Sequence, residues 1–135
     1  MSGFDLVDCH EEVRRLAGDV LAVVEDVCWT PGLTDADLSG ATLTDANFSS
    51  VNFTGANLAD AQGQGASFRK ALLDGASLVG ANMTGANFAD AVLTGADLTN
   101  VDFTNANLTY ADFTGANMTG AILTGAIITG AIIPE

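Results

Sequence analysis

The residues able to do chemistry are few in this 135-residue chain. There is one histidine, His10, and there are two cysteines, Cys9 and Cys28. None of the three stands at metal-ligand spacing or beside a nucleophile pattern. Seventeen acidic residues could supply carboxyl groups, but acid–base catalysis needs two of them held together, and no such pair is evident. The residue types therefore predict no enzyme, no metal site and no cofactor.

The net charge of −13, with only four basic residues, excludes two classes of partner. Nucleic-acid binding depends on lysine and arginine neutralising phosphates, and anionic membranes require the same charge. The longest apolar run, around residues 20–24, is far too short to cross a bilayer. The N-terminus has acidic residues where an export signal would have basic ones, so we expect a cytoplasmic protein.

Residues 1–30 are predicted to form an amphipathic helical cap. Asp8 and Glu11 resemble a capping box, and Pro31 with Gly32 would end the element. Gly18 leaves one helix or two as alternatives. One continuous helix would hold Cys9 and Cys28 about 30 Å apart, whereas a hairpin would bring them together. We expect free, buried thiols, which behave as small hydrophobic groups. The apolar residues at helical spacing are Val13, Leu16, Ala17, Val20, Leu21, Val24, Val27 and Cys28.

Residues 31–135 follow a period of five, which matches neither a helix nor a strand. Every fifth residue from Leu33 to Ile133 is large and apolar, except Gly63, and alanine or valine stands two residues before nearly all of them. Polar residues and glycine fill the other positions. Two inward residues, one large and one small, thus alternate with outward polar ones, which predicts a solenoid of stacked coils.

The repeats resemble the A(D/N)LXX motif of the pentapeptide repeat family, as in Ala36-Asp37-Leu38 and Ala96-Asp97-Leu98. The resemblance implies an all-β solenoid, a right-handed quadrilateral β-helix with one pentad per side and four per coil. Residues 31–135 then form about five coils, and the predicted helix of residues 1–30 covers one end.

With four pentads per coil, residues twenty apart should stack. No two of the acidic residues from Asp35 to Glu135 have that separation, which avoids like-charge repulsion and leaves no carboxylate pair. Gly63 predicts a local bulge or an under-filled core. Leu72 and Val92 should form a small apolar side patch. The predicted core ladder comprises Phe48, Phe68, Phe88, Leu108 and Ile128.

Isoleucine replaces the expected polar residue in the last three pentads. Because an uncovered solenoid end exposes its core and its strand edges, these residues predict self-association, with a different partner as the alternative. The residues concerned are Ile122, Ile127, Ile132 and Ile133.

Broad regular faces without a catalytic cluster favour a protein–protein interaction or scaffold function. Some members of the family resemble DNA in shape and charge and bind DNA gyrase, so DNA mimicry is the alternative. The repeat region has one net charge per about 3 Å, however, against one per about 1.7 Å in duplex DNA. Ice binding is a minor alternative, because the threonine ladders are interrupted. The family's occurrence in chloroplast lumens makes the thylakoid lumen the alternative compartment if the chain is a mature fragment.

Overall fold

The computed structural model describes residues 33–134. The predicted helical cap of residues 1–30, the choice between one helix and two, and the states of Cys9 and Cys28 all lie outside the described residues. Between residues 33 and 134 there is no helix, and each extended element is a single β-bridge residue.

Sixteen parallel bridges build the solenoid, and every one of them joins residues twenty positions apart. Each coil therefore contains four pentads, as the family resemblance implies. The bridges fall into four columns, which we number as sides 1 to 4. Their bridge residues are Asp37, Asn57, Ser77, Asp97 and Asn117 on side 1; Thr42, Gln62, Asn82, Asp102 and Ile122 on side 2; Asn47, Ser67, Asn87, Asn107 and Ile127 on side 3; and Asn52, Leu72, Val92, Asp112 and Ile132 on side 4.

Backbone groups on the sides pair between successive coils. The Leu38 N–H donates to the Asn57 carbonyl oxygen at 2.7 Å, and the Asn57 N–H donates back to the Ala36 carbonyl oxygen at 2.9 Å. The same reciprocal pattern recurs along each side, so the extended residues satisfy their polar groups without forming long strands.

The corners are tight turns with a positive backbone angle. The Ala41 N–H donates to the Leu38 carbonyl oxygen at 3.0 Å, closing a turn in which Gly40 is the third residue. All twenty such corner residues, from position 35 to position 130, have φ between +59° and +75°. A hydrogen bond across three residues with positive φ at the third is the type II turn, which favours glycine there. The pentad ends in glycine so often because its backbone must turn in this way.

The core consists of one large and one small side chain per pentad. Phe48, Phe68 and Phe88 stack with ring centroids 5.5 and 4.8 Å apart, and Leu108 is also fully buried. Ile128 departs from the predicted ladder, because 49% of its surface is exposed. It belongs to the last described coil, and no described coil lies beyond it to cover its side chain.

Gly63 does not produce the predicted bulge. Its N–H donates to the Asn82 carbonyl oxygen at 2.8 Å, and its own carbonyl accepts from Ala66 at 3.0 Å, so the register is unbroken. A Cβ atom at position 63 would lie 2.5 Å from the Met83 Sδ atom. The long, flexible methionine of the next coil therefore occupies the space that the missing side chain leaves.

Three of the four corners follow one stacking rule. At the 1–2, 2–3 and 4–1 corners, every residue that is not glycine is Asp or Asn, and glycine stands twenty positions later. A Cβ atom on that glycine would strike the carboxylate or amide oxygen of the residue above; at Gly80 it would lie 2.5 Å from the Asp60 Oδ1 atom. The five stacked pairs are Asp35 with Gly55, Asp45 with Gly65, Asp60 with Gly80, Asn100 with Gly120, and Asn105 with Gly125.

Candidate interaction surface

The outward residues of the sides form local hydrogen bonds that fix the approach to each corner. The Asp102 Oδ1 atom accepts from the Thr104 N–H at 2.9 Å and from the Thr104 hydroxyl at 2.5 Å. Such side-chain-to-backbone bonds stabilise turns. The N/D-x-T pattern of the repeats is thereby explained structurally. The same two bonds join Asn52 to Thr54, Asn82 to Thr84, Asp97 to Thr99, Asn107 to Thr109, Asp112 to Thr114 and Asn117 to Thr119.

These bonds determine the chemistry of the side carboxylates. The Thr104 hydroxyl, followed by the Thr104 backbone N–H, lowers the pKa of Asp102, and Thr114 lowers the pKa of Asp112 in the same way. Hydrogen bonds donated to the charged form favour it, so both groups are better anions than an ordinary aspartate. A general acid needs the opposite shift.

The stacked partners of the side carboxylates are neutral, as the sequence predicts. Asp37 bridges to Asn57, Asp97 to Asn117 and Asp102 to Ile122. Among residues 33–134 no group of three or more His, Cys, Asp or Glu side chains could hold a metal ion. In the same part of the chain, no helix has the length and apolarity needed to cross a membrane.

The isoleucines of the last described coil project from three different sides. Ile122 lies on side 2, Ile127 on side 3 and Ile132 on side 4, with 45%, 52% and 54% of their surfaces exposed. Ile133 occupies an inward position and is 36% exposed. The structure thus places these residues around one coil without gathering them into a single lateral patch.

Leu72 and Val92 lie side by side on side 4, joined by a parallel bridge. Leu72 is 39% exposed and Val92 is half-buried. Asn52 and Asp112 border them in the same column. The two residues are therefore neighbours in successive coils, and together they span only two coils.

The 3–4 corner differs from the other three. Reading down the coils, its residues are Ser50, Lys70, Asp90, Tyr110 and Gly130, so glycine appears only once. Tyr110 has φ +59° and is 63% exposed. Positive φ is uncommon for any residue with a Cβ and exceptional for a bulky one. A Cβ on Gly130 would strike the Tyr110 ring, so the ring lies over the next coil.

Both basic residues of residues 33–134 lie at or beside this corner. Arg69 is on side 3 and Lys70 is on the corner itself, and both are exposed. No ion pair joins either side chain to a carboxylate within the described part of the chain. The central and bridge positions of the pentads do not reveal this grouping. The signal is present in the corner column, where Ser50, Lys70 and Tyr110 interrupt a series of Gly, Asp and Asn.

Comparison with family models identifies eight copies of the pentapeptide repeat, matched over residues 33–62, 64–100, 86–125 and 96–133. The chain belongs to the pentapeptide repeat family. This pentapeptide repeat protein has no match among curated proteins. Its membership confirms the resemblance seen in the sequence.

Solved structures of other pentapeptide repeat proteins share the fold. HetL from the cyanobacterium Nostoc, described as involved in regulation of heterocyst differentiation, is 33% identical with a TM-score of 0.61, over 89% of this chain and 60% of HetL. A thylakoid-lumen protein from Arabidopsis thaliana is 39% identical with a TM-score of 0.64, over 66% of this chain and 62% of the plant chain. Rfr23 from the cyanobacterium Cyanothece is 28% identical with a TM-score of 0.51, over 74% of this chain and 62% of Rfr23. The match thus spans about 60% of the length of each of these proteins.

Proposed function

We propose that this pentapeptide repeat protein is a non-enzymatic protein–protein interaction module. The observation that supports the proposal is the set of half-exposed isoleucines at positions that are mostly polar in the other coils. Ile122, Ile127 and Ile132 stand at bridge positions where the other coils have mostly Asn, Asp, Ser, Thr or Gln. Large apolar side chains surrounded by polar ones are typical of interface centres.

The proposed partner is a protein, and a second copy of the chain is one candidate through Ile122, Ile127, Ile132 and Ile133. Nucleic acid and anionic lipid are unsuitable, because residues 33–134 have nine aspartates against two basic residues. HetL, with its regulatory description, is consistent with an interaction role.

Capture from the native host would test the module with a matched pair of variants. Ile127→Asp introduces a charge at the exposed isoleucine of side 3. Asn52→Asp introduces the same charge at a bridge position of side 4 and keeps the Oδ1 acceptor that binds the Thr54 N–H. We expect partner recovery to fall at least tenfold with Ile127→Asp and to stay unchanged with Asn52→Asp. Equal recovery by wild type and both variants would contradict the proposed docking residues.

DNA mimicry would instead require a continuous anionic surface. The carboxylates on sides 1, 2 and 4 are separated by neutral stacked residues, and side 3 has no carboxylate in the described coils but has the basic residue Arg69, with Lys70 at its corner. A gyrase supercoiling assay distinguishes the two functions: the interaction-module proposal predicts no inhibition at micromolar protein, and strong inhibition would favour mimicry.

The cytoplasm is the compartment proposed for this module, with the thylakoid lumen as the alternative. The lumenal Arabidopsis protein is the reason for that alternative. Fractionation of host cells, with detection of the native protein, decides between them.

A further inference from the structure

The 3–4 corner has glycine at only one of its five positions, although the backbone of the turn favours glycine there. The 4–1 corner has glycine at four of five positions, and the 1–2 and 2–3 corners have it at three, with Asp or Asn at the rest. The 3–4 corner keeps Lys70 and Tyr110 at positive φ. Residues in strained backbone conformations cluster at functional sites. The 3–4 corner is therefore a candidate functional surface.

If a second copy of the chain runs in the opposite direction, its corner residues are complementary to those of the first copy. Lys70, Asp90 and Tyr110 occupy three successive coils, which places Lys70 and Tyr110 about 10 Å apart along the solenoid axis. A two-fold axis at the level of Asp90, perpendicular to the solenoid, sets Lys70 of one copy against Tyr110 of another. It also sets each Lys70 one coil away from Asp90 of the other copy. Two-fold interfaces need such reciprocity, in which residue i meets j and j meets i.

Side 3, which adjoins this corner, is the side on which two acidic molecules can approach. Its two outward positions have no carboxylate in any described coil, whereas Asp97 lies on side 1, Asp102 on side 2 and Asp74 on side 4. Near the axis its residues are small, since Asn87 and Ala89 lie at the middle coil. For a chain of net charge −13, like-charge repulsion disfavours pairing through the other three sides.

We infer that two copies of the chain associate side by side and antiparallel, through side 3 and the 3–4 corner. Tyr110 is the anchor of this interface. Its ring accepts a cation–π contact from Lys70 of the second copy. The two Asp90 carboxylates at the axis lie between the two Lys70 ammonium groups. This inference rests on the proposed interaction function and names one partner and one surface for it, separate from Ile122, Ile132 and Ile133.

The interface is small, because one side of about five coils is only about 24 Å tall. Standard stable interfaces bury about 800 Å² per partner, and weak assemblies bury less. We therefore expect a weak dimer, with a dissociation constant of tens to hundreds of micromolar. Sedimentation equilibrium of the full chain, from about 10 µM to about 1 mM, covers that range.

Tyr110→Gly removes the anchor and places the favoured residue at a positive φ. We expect at least a tenfold loss of association with a melting temperature within a few degrees of wild type. Asn100→Gly is the matched control, because it also places glycine at a positive φ in the same coil, but at the 1–2 corner, which does not border side 3. Ile122→Ser removes an exposed apolar side chain from side 2. Both controls should associate as wild type does.

A charge exchange tests the antiparallel register. Lys70→Asp should weaken association at least tenfold, because two carboxylates from each copy, at positions 70 and 90, then lie close to the axis. Adding Asp90→Lys restores the alternation of charge, and the double variant should recover at least threefold over Lys70→Asp. A monomeric wild type at 1 mM, an unchanged Tyr110→Gly variant, or no recovery in the double variant would each overturn the inference. Ile127 lies on side 3 itself, so the two proposals are separated by capture with Ile122→Ser and with Tyr110→Gly. Loss of partner recovery with Ile122→Ser but not with Tyr110→Gly supports the interaction function without the dimer, so failure of the dimer and failure of the interaction function are distinguishable.

Discussion

The inside of the solenoid and its 3–4 corner are built under different constraints. In the core, and at the 1–2, 2–3 and 4–1 corners, the residue at one position limits what can stand twenty positions later, as Gly63 and Met83 or Asp60 and Gly80 illustrate. At the 3–4 corner, Lys70, Asp90 and Tyr110 follow one another without an intervening glycine. Stacking between coils therefore explains the residue types on most of this surface. It does not explain those at the 3–4 corner, which is why that corner is the candidate site for a partner.

The strongest coil-to-coil constraint lies inside, between Gly63 and Met83. Gly63→Leu should destabilise the fold by about 3 kcal/mol, because a side chain enters space that the Met83 thioether already fills. Met83→Ala alone should cost about 2–3 kcal/mol. Combining the two should cost clearly less than their sum, as measured by chemical unfolding in a double-mutant cycle. Strict additivity would show that the two residues do not share one space.

Substitutions at the corners should cost less stability than those in the core. The cost should have two separable parts, one from the backbone conformation and one from the stacked side chain. Gly80 and Gly85 have φ of +70° and +69°, but only a Cβ on Gly80 would meet a stacked side chain, that of Asp60. Gly85→Ala should cost about 1–2 kcal/mol for the backbone conformation alone. Gly80→Ala should cost about 1 kcal/mol more, because the Asp60 carboxylate must also move. Equal losses for the two variants in urea unfolding would mean that stacking adds nothing at the corners.

The bonds leading into the corners predict a dependence on pH. Because the pKa of Asp102 is lowered in the folded state, its contribution is fully present above the ordinary value of 3.8 and is lost as the pH falls through the folded value. Thr104→Ala should therefore reduce stability by about 1 kcal/mol near neutral pH, with a difference that shrinks below about pH 4. Thr109→Ala is the control, since its partner Asn107 does not titrate. A Thr104→Ala effect that is constant from pH 7 to pH 2.5 would count against this assignment.

The smallest expected effect on stability is at Tyr110. Relief of the positive-φ strain, worth about 1–2 kcal/mol, offsets the contacts that the ring loses over Gly130. Tyr110→Gly should therefore unfold within about 1 kcal/mol of wild type. Phe88→Ala, which empties a fully buried site, should cost about 3–5 kcal/mol. A large loss at Tyr110 would return the 3–4 corner to a structural role.

Much of this architecture could be predicted from the sequence because its period is so regular. The recurrence of a large apolar residue such as Phe48 or Phe68 every fifth position sets the inward pattern. The twenty-residue stacking is expected only from the family resemblance, which implies four pentads per coil. The neutral partners of Asp37 and Asp97 could be read in the same way. These features depend only on position in the repeat.

The features that could not be predicted depend on side-chain direction. The sequence shows that Gly63 lacks a side chain, but not that Met83 bends into the space instead of leaving a bulge. It shows Asp60 and Gly80 twenty apart, but not that the carboxylate oxygen lies over the glycine. The significance of Tyr110 becomes visible only when all twenty corner residues are known to share a positive φ.

Because each side is a single pentad, the number of pentads sets both the length of the solenoid and the side on which each later residue lies. Inserting or deleting five residues after Asp90 would leave every inward position filled and every turn intact, yet it would rotate all later residues by a quarter turn. Tyr110 would then stand on a different edge from Lys70 and Asp90. The fold tolerates changes in the number of repeats. A surface formed by residues stacked along one edge of successive coils does not. Members of such a family can therefore remain equally well folded while differing completely in what they present to a partner.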